Sequence, residues 1–369
     1  MAKAQLGYEL VIGPLMDELE KTSQILVGFS GGLDSTVLLA LLAETIPVER
    51  LCAVHVNHGL SPKANAWQAH VEDFCGRRNI ACHSEVVEVV ASGKGLEDAA
   101  RQSRYRVFEN LLNQDGILLL GHHSDDQVET LLYRLMRGSG SKGMSGMPVS
   151  RRVGQGRLIR PLLSWPKSAL ITYAEDKNLK WVEDESNNVD IFERNYLRNQ
   201  LIPVLAHQWP DYRQRLRAVA ELSYEGHQLA EATAIETIAT LQPAEERAGW
   251  SLSISLFANL TQLKQKNILR YWPEIKGLNA PGAKVINEVL VALIDARQDG
   301  SPKVSIGDGQ YCRFRDRLYL LKVSEEADSS IEQQKDLIWN IDNPFNLSDG
   351  SHLTVEQTVG DGLRADLAV

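Results

Sequence analysis

Cysteine is scarce in this chain of 369 residues: only Cys52, Cys75, Cys82 and Cys312 are present, and no two form a CxxC pair. A reduced chain in the cytoplasm is the expectation from that usage. Long apolar runs are missing as well. No stretch approaches the ~18 consecutive apolar residues of a membrane span, and the N-terminus lacks the basic region and apolar run of a signal peptide. Repeats and low-complexity tracts are absent. Disorder is excluded by composition, because 43% hydrophobic and 24% charged residues allow a real core. At about 100–200 residues per domain, the length predicts two or three domains.

The net charge of −9 opposes a nucleic-acid partner at first sight. Binding follows local charge, however. Between Leu131 and Ala174 there is no Asp or Glu, while Arg134, Arg137, Lys142, Arg151, Arg152, Arg157, Arg160 and Lys167 all fall there. Arg213, Arg215 and Arg217 cluster further on, around Asp211. A solvated basic face competes with a phosphate-binding surface on charge alone.

The first half alternates strand and helix. Strands are expected at Ile25–Phe29, Leu51–Val56, Val86–Val90 and Ile117–Leu120, and helices at Thr36–Leu42, Asn65–Arg78 and Leu96–Leu112. That alternation predicts an α/β fold with a parallel sheet covered on both faces, and ligands beyond the carboxyl ends of its strands. From Gly138 to about Gly156 the chain reads as a loop, and Pro166–Asn178 as a helix. Trp209–Leu241 predicts long helices leading into a second, smaller and mostly helical domain, with a β-like run at Tyr311–Val323. Ser324–Gln334 reads as an acidic linker. The expected division is 1–208, 209–323 and 324–369, the last too short for its own core.

One hexapeptide decides the class. The strand Ile25–Phe29 runs directly into Ser30-Gly31-Gly32-Leu33-Asp34-Ser35, followed by a helix. Two glycines permit close backbone approach and positive φ. Helix-opening amides and the helix dipole favour an anion there by ~0.3–2 kcal/mol. Ser30 and Ser35 add hydroxyl donors. Asp34 would repel phosphate unless a cation intervenes, which suggests Mg2+. A capped strand–turn–helix junction is the bland alternative. The GxGxxG at Gly138, Gly140 and Gly143 follows a helix, so it reads as a loop.

The SGGLDS loop after a first strand resembles the PP-loop ATP pyrophosphatases. Five further segments resemble the lysidine synthases among them: His55-Val56-Asn57-His58-Gly59-Leu60; Glu97-Asp98-Ala99-Ala100-Arg101-Gln102-Ser103-Arg104-Tyr105; His122-His123-Ser124-Asp125-Asp126-Gln127-Val128-Glu129-Thr130; Trp181–Asn187; and Arg194-Asn195-Tyr196-Leu197-Arg198. Together the matches span residues 25–203 in the family's order. His122, Asp126 and Glu129 would share a helix face if that helix begins early enough. His55 and His58 could suggest a metal, but no third ligand lies nearby.

The resemblance implies an ATP-dependent ligase that joins lysine to C2 of cytidine 34 in the CAU anticodon of tRNA(Ile), through an adenylated tRNA. It implies ATP and Mg2+ as cofactors, with Asp34 as the metal ligand. ATP would be held by Ser30, Gly31, Gly32, Leu33, Asp34, Ser35, Asn57, His58 and Arg104. Chemistry would fall to Arg101, Arg194, His122 as base with Glu129 behind it, and Asp126, which would recognise the lysine ammonium. Arg137, Lys142, Arg151, Arg152 and Arg198 would meet tRNA. Free L-lysine and tRNA(Ile) are the implied partners, without a membrane. The oligomeric state stays open, a homodimer included. Longer lysidine synthases carry another C-terminal domain, and this sequence leads one to expect it largely absent. The rival readings are 2-thiolation of tRNA, which needs paired sulfur-carrying cysteines, and a nucleotide-binding module without turnover. An amidotransferase-coupled synthetase would need a glutaminase-like segment, which the chain lacks.

Overall fold

The computed structural model describes residues 6–89, 96–183, 193–246, 249–294, 302–323, 344–346 and 352–354. The chain divides into two compact units, Met1–Ala230 and Glu231–Val369. The division falls inside the helix Tyr212–Ala239, about one helix later than the expected boundary at 208.

The first unit is built on six strands: β1 (Ile25–Gly28), β2 (Leu51–Asn57), β3 (Ala81–Val86), β4 (Ile117–Leu119), β5 (Ser150–Val153) and β6 (Gly156–Ile159), in the order β3-β2-β1-β4-β6-β5. All neighbours run parallel except the β5–β6 hairpin. Alternation along β1 sorts its side chains to two cores. Ile25 and Val27 join the larger core with Leu51, Ala53 and the helix Leu33–Ala43, while Leu26 joins Val54, Phe108 and Leu118 on the other face. The helix Leu33–Ala43 is apolar nearly all round because it is buried nearly all round, with the helix Lys167–Asp176 also packing into that core.

Two elements differ from expectation. The third strand is Ala81–Val86, not Val86–Val90. It is the edge of the sheet, so its residues are half-buried and carry no apolar run to betray it. The segment expected as a loop up to Gly156 holds β5 and the turn of a tight hairpin, in which Gly154 adopts φ +50°.

The second unit combines helices, among them Gln262–Ile275 and Ala283–Val289, with a five-stranded antiparallel sheet. Its strands are β7 (Ala244–Glu246), β8 (Gly249–Ser253), β9 (Lys303–Ser305), β10 (Gly309–Phe314) and β11 (Arg317–Lys322), in the order β7-β8-β11-β10-β9. The β-like run resolves into the β10–β11 hairpin, turned at Arg315 with φ +51°. Trp272, Phe257 and Tyr311 fill the core, and the Tyr311 hydroxyl donates to the Leu269 carbonyl at 2.9 Å. The expected acidic linker Ser324–Gln334 lies outside the described residues, as does most of the chain beyond it.

Candidate active site

The Ser30–Ser35 loop leaves the carboxyl end of β1, which β2 and β4 flank in parallel. Gly31 adopts φ +82°, and a Cβ there would meet Val71 at 3.0 Å and Val182 at 3.3 Å. A side chain is thus excluded by conformation and by space. The loop is braced from within: the Ser30 amide donates to Ser35 Oγ (3.3 Å), the Gly32 amide to Ser30 Oγ (3.3 Å), and Ser35 Oγ to the Gly32 carbonyl (3.1 Å). It is also braced from outside, where the Val182 amide donates to the Gly31 carbonyl at 2.9 Å. The resemblance of Trp181–Asn187 covered Val182 but gave it no role, since a backbone contact leaves no residue-type signal. The Asp184–Asn187 part of that segment lies outside the described residues. Glycine is also required at Gly121, because a Cβ would sit 2.8 Å from the Asp34 carbonyl oxygen and 3.1 Å from the Ser35 amide. The turn after β4 is therefore seated directly against the opening of the loop's helix.

That turn leads into the helix Ser124–Met136. His123 is its N-cap and closes a capping box with Asp126: the His123 amide donates to Asp126 Oδ2 (2.9 Å), and the Asp126 amide to His123 Nδ1 (3.4 Å). His122 therefore lies before the helix, and the expected shared face of His122, Asp126 and Glu129 does not form. Nδ1 of His123 accepts, so its Nε2 carries the proton and stands 3.5 Å from Asp34 Oδ1. Burial raises the Asp34 carboxyl above its usual value; His123 opposes this, and Asp126 adds to it.

His122 is neighboured differently. Arg160 Nε donates to its Nδ1 at 3.3 Å. A guanidinium only donates, so this nitrogen is unprotonated. Burial, with Arg160, Arg101 and Arg104, pushes the ring down to about 4 against the pull of Asp126, so it is neutral with its proton on Nε2. A ring in that form has no basic nitrogen to offer, which corrects the expectation of His122 as the base. Glu129 does not stand behind it. Its buried carboxylate takes the Arg198 guanidinium in a fork, Nε–Oε1 2.6 Å and Nη2–Oε2 2.8 Å. The second correction follows, because that fork occupies the face with which Arg198 would grip a tRNA phosphate. Arg198 also comes within 4.0 Å of Asp126 Oδ1.

Of the expected ATP ligands, Asn57 is a brace. Its amide donates to Asn65 (3.2 Å) and Gln68 (2.9 Å), and its carbonyl accepts from the Gly59 amide (2.9 Å). Buried His55 donates from Nδ1 to the Phe29 carbonyl at 3.0 Å, tying β2 to the loop. Both ring nitrogens of His58 are buried without a hydrogen-bond partner among the described residues. Burial, Arg104 and His55 push that ring down to about 4.

The basic stretch splits in three dimensions. Arg134 is spent on the Gly143 and Gly146 carbonyls (2.9 and 2.8 Å), and Arg157 pairs with Glu18. Arg101 and Arg151 both stack on Tyr105, at 5.1 and 4.9 Å from the ring centroid, although fifty residues separate them in the chain. Arg152, next to Arg151, points elsewhere: it lines a cavity of about 370 Å3 with Glu18, Asp115 and Arg157, where β4 and β6 begin, the opposite end of the sheet from the loop. Arg137 donates to the Tyr133 hydroxyl at 2.6 Å and Arg194 stacks over that ring at 5.4 Å. Lys142 is exposed on the short helix Ser141–Met144. The Arg213–Arg217 cluster is neutralised in place: Arg213 holds Asp125, Arg215 Asp211, and Arg217 Glu221.

Comparison with known proteins agrees with this geometry. Residues 8–205 match the model of a PP-loop domain, and residues 252–319 that of a TilS substrate binding domain. A tRNA(Ile)-lysidine synthase of Alkalilimnicola ehrlichii is 41% identical over 80% of this chain and 66% of its own length. One from Yersinia pseudotuberculosis is 37% identical over 85% and 69%. One from Coxiella burnetii is 34% identical over 95% and 77%. The chain thus spans about two thirds to three quarters of the length of these relatives. No helix among the described residues is long and apolar enough to cross a membrane.

Proposed function

Because the chain belongs to the tRNA(Ile)-lysidine synthase family, we propose that it converts cytidine 34 of the CAU anticodon of tRNA(Ile) to lysidine, using ATP and free L-lysine. The observation that carries this reading is the braced glycine loop at the N-terminus of a buried helix, with the carboxylates of Asp34 and Asp126 beside it. A phosphate cradle alone serves any nucleotide. Two carboxylates at its edge suit a metal-bound anion next to a cationic substrate.

In the first half-reaction, O2 of the cytosine attacks the α-phosphorus of ATP, and pyrophosphate leaves into the Ser30–Ser35 loop. Arg101, Arg104 and Arg194 would offset the phosphate charge. Among the described residues Asp34 Oδ1 is buried and accepts no hydrogen bond, with His123 Nε2 3.5 Å away, which fits a cation. Among the described residues no cluster of three or more metal-ligating side chains exists, so Mg2+ would rest on Asp34 and the ATP phosphates, as Mg2+ commonly does. Bound there, it would neutralise charge on the phosphate oxygens. In the second half-reaction, the lysine ε-amine attacks C2, the C2–O bond breaks, and AMP departs with the oxygen. The amine, with a reference pKa of about 10.4, must first shed its proton to solvent water. Asp126, with 23% of its side chain exposed, holds the ammonium and orients it. The anticodon loop allows the target base to leave its stack.

Two observations weigh against 2-thiolation. Cys52 and Cys82 lie near the starts of β2 and β3, away from the loop end of the sheet, and Cys75 is buried. The test incubates the protein with ATP, Mg2+, lysine and tRNA and reads the tRNA nucleosides by mass spectrometry. Lysidine is expected, and omission of lysine should trap adenylated tRNA. Asp34→Ala should abolish adenylation. Asp126→Asn should spare adenylation and raise the lysine requirement. Equilibrium ATP binding with neither product would instead mark a nucleotide-binding module.

A further inference from the structure

Arg160 is 2% exposed, and among the described residues no carboxylate pairs with it. A buried guanidinium without a counter-ion is costly, so its polar contacts must be specific. Two are: Nη1 donates to the Pro148 carbonyl at 2.7 Å, and Nε to His122 Nδ1 at 3.3 Å. The first ties down the entry to the β5–β6 hairpin, together with the Arg160 amide on the Val149 carbonyl at 2.8 Å. The second reaches the neighbouring strand. Arg160 directly follows β6 and His122 follows β4, strands joined up to the Leu120 amide on the Ile159 carbonyl at 3.0 Å. His122 in turn follows Gly121, which packs on Asp34 and Ser35.

Resting on the function proposed above, we infer that Arg160 is a positioning residue that locks His122 with its proton on Nε2. His122 is then a hydrogen-bond donor, not a base, for an oxygen that gains negative charge during adenylation. A neutral imidazole has two tautomers, and only a partner confined to one role selects between them. Arg160 is such a partner, because it never accepts. The surroundings of the ring suit a donor: burial, the largest effect, disfavours a charged imidazolium, and although Asp126 favours it, Arg160, Arg101 and Arg104 act with burial so that the ring is held down to about 4. A fixed neutral donor stabilises a developing oxyanion without a proton transfer, and losing one such donor typically costs about 100–1,000-fold in rate.

The geometry also sets the test. Glutamine places its amide N–H where Nε2–H of histidine stands, whereas alanine offers nothing. His122→Gln should retain adenylation within about tenfold of wild type, and His122→Ala should lose about 100–1,000-fold. Equal loss in both would overturn the donor role. The tautomer is read directly by nitrogen-15 NMR of the histidine-labelled full chain, with the His122 signals identified from His122→Gln. Protonated Nε2 and bare Nδ1 are expected at neutral pH, and a proton on Nδ1 would overturn the lock. Arg160→Met should shift the ring toward the other tautomer and lower the kcat of adenylation more than it raises the KM for ATP. An unchanged tautomer there would overturn the role of Arg160. If that variant does not fold, the wild-type spectrum still decides. The spectrum needs no turnover, so a failure of the ligation reaction would strike the proposed function and leave the tautomer assignment standing.

Discussion

The Glu129–Arg198 pair carries a sharp consequence for stability. Its two parallel hydrogen bonds at 2.6 and 2.8 Å join the helix Ser124–Met136 to the segment beginning at Leu197. Glu129 is the better buried partner, with 8% of its side chain exposed against 36% for Arg198. Arg198→Met would keep the aliphatic bulk and strand the carboxylate. Breaking a fully buried pair costs about 3–5 kcal/mol and an exposed one about 0–1. This half-open geometry should therefore cost about 2 kcal/mol. For a unit of this size that lowers Tm by about 4–8 °C. Glu129→Gln should cost less, because Arg198 can turn its fork to water, and the double variant should fall short of the sum of the two. Calorimetry on the three variants measures all of this. A loss under about 0.5 kcal/mol for Arg198→Met, the range of an ordinary surface change, would refute the pairing argument. A drop in tRNA affinity without a stability change would return Arg198 to the tRNA-binding role that its position in the sequence suggests.

Further consequences concern the loop, acid stability and tRNA. Gly121→Ala should fold yet lower ATP–pyrophosphate exchange at least tenfold, since its Cβ would press on the Asp34 carbonyl at 2.8 Å; normal exchange would remove that contact from the mechanism. Asp125 is raised by burial but held below its usual range overall by the Lys167 amide at 2.9 Å and by Arg213. Its stabilisation is thus complete above the unfolded value of about 3.9 and is lost as pH falls through the folded value. Urea midpoints of wild type and Asp125→Asn should accordingly differ at pH 7 and converge in acid, and a constant gap would contradict the linkage. Arg151→Ala should reduce the slope of log affinity for tRNA against log salt by about one, whereas Arg152→Ala should leave it unchanged. Equal effects would show that the cavity end of the sheet also meets the tRNA.

The residues that identify this chain were legible because local backbone demands dictate them. Gly31 must take a positive φ, a helix must open on Asp34 and Ser35, and β1 must be apolar on both faces because the sheet is covered on both. Such requirements act within a few residues, so the strand–loop–helix unit, the α/β class and the family resemblance followed from sequence. The edge strand β3 escaped notice because an edge is only half-buried, and β5 because a hairpin of basic residues carries no apolar alternation. Partner choice among charged side chains was decided by tertiary structure alone. Arginine has the same composition signal whether it meets phosphate, stacks on Tyr105 as Arg151 does, forks onto Glu129 as Arg198 does, or donates to a histidine as Arg160 does. Those pairings join residues tens of positions apart, and their geometry exists only once the strands of the sheet stand side by side.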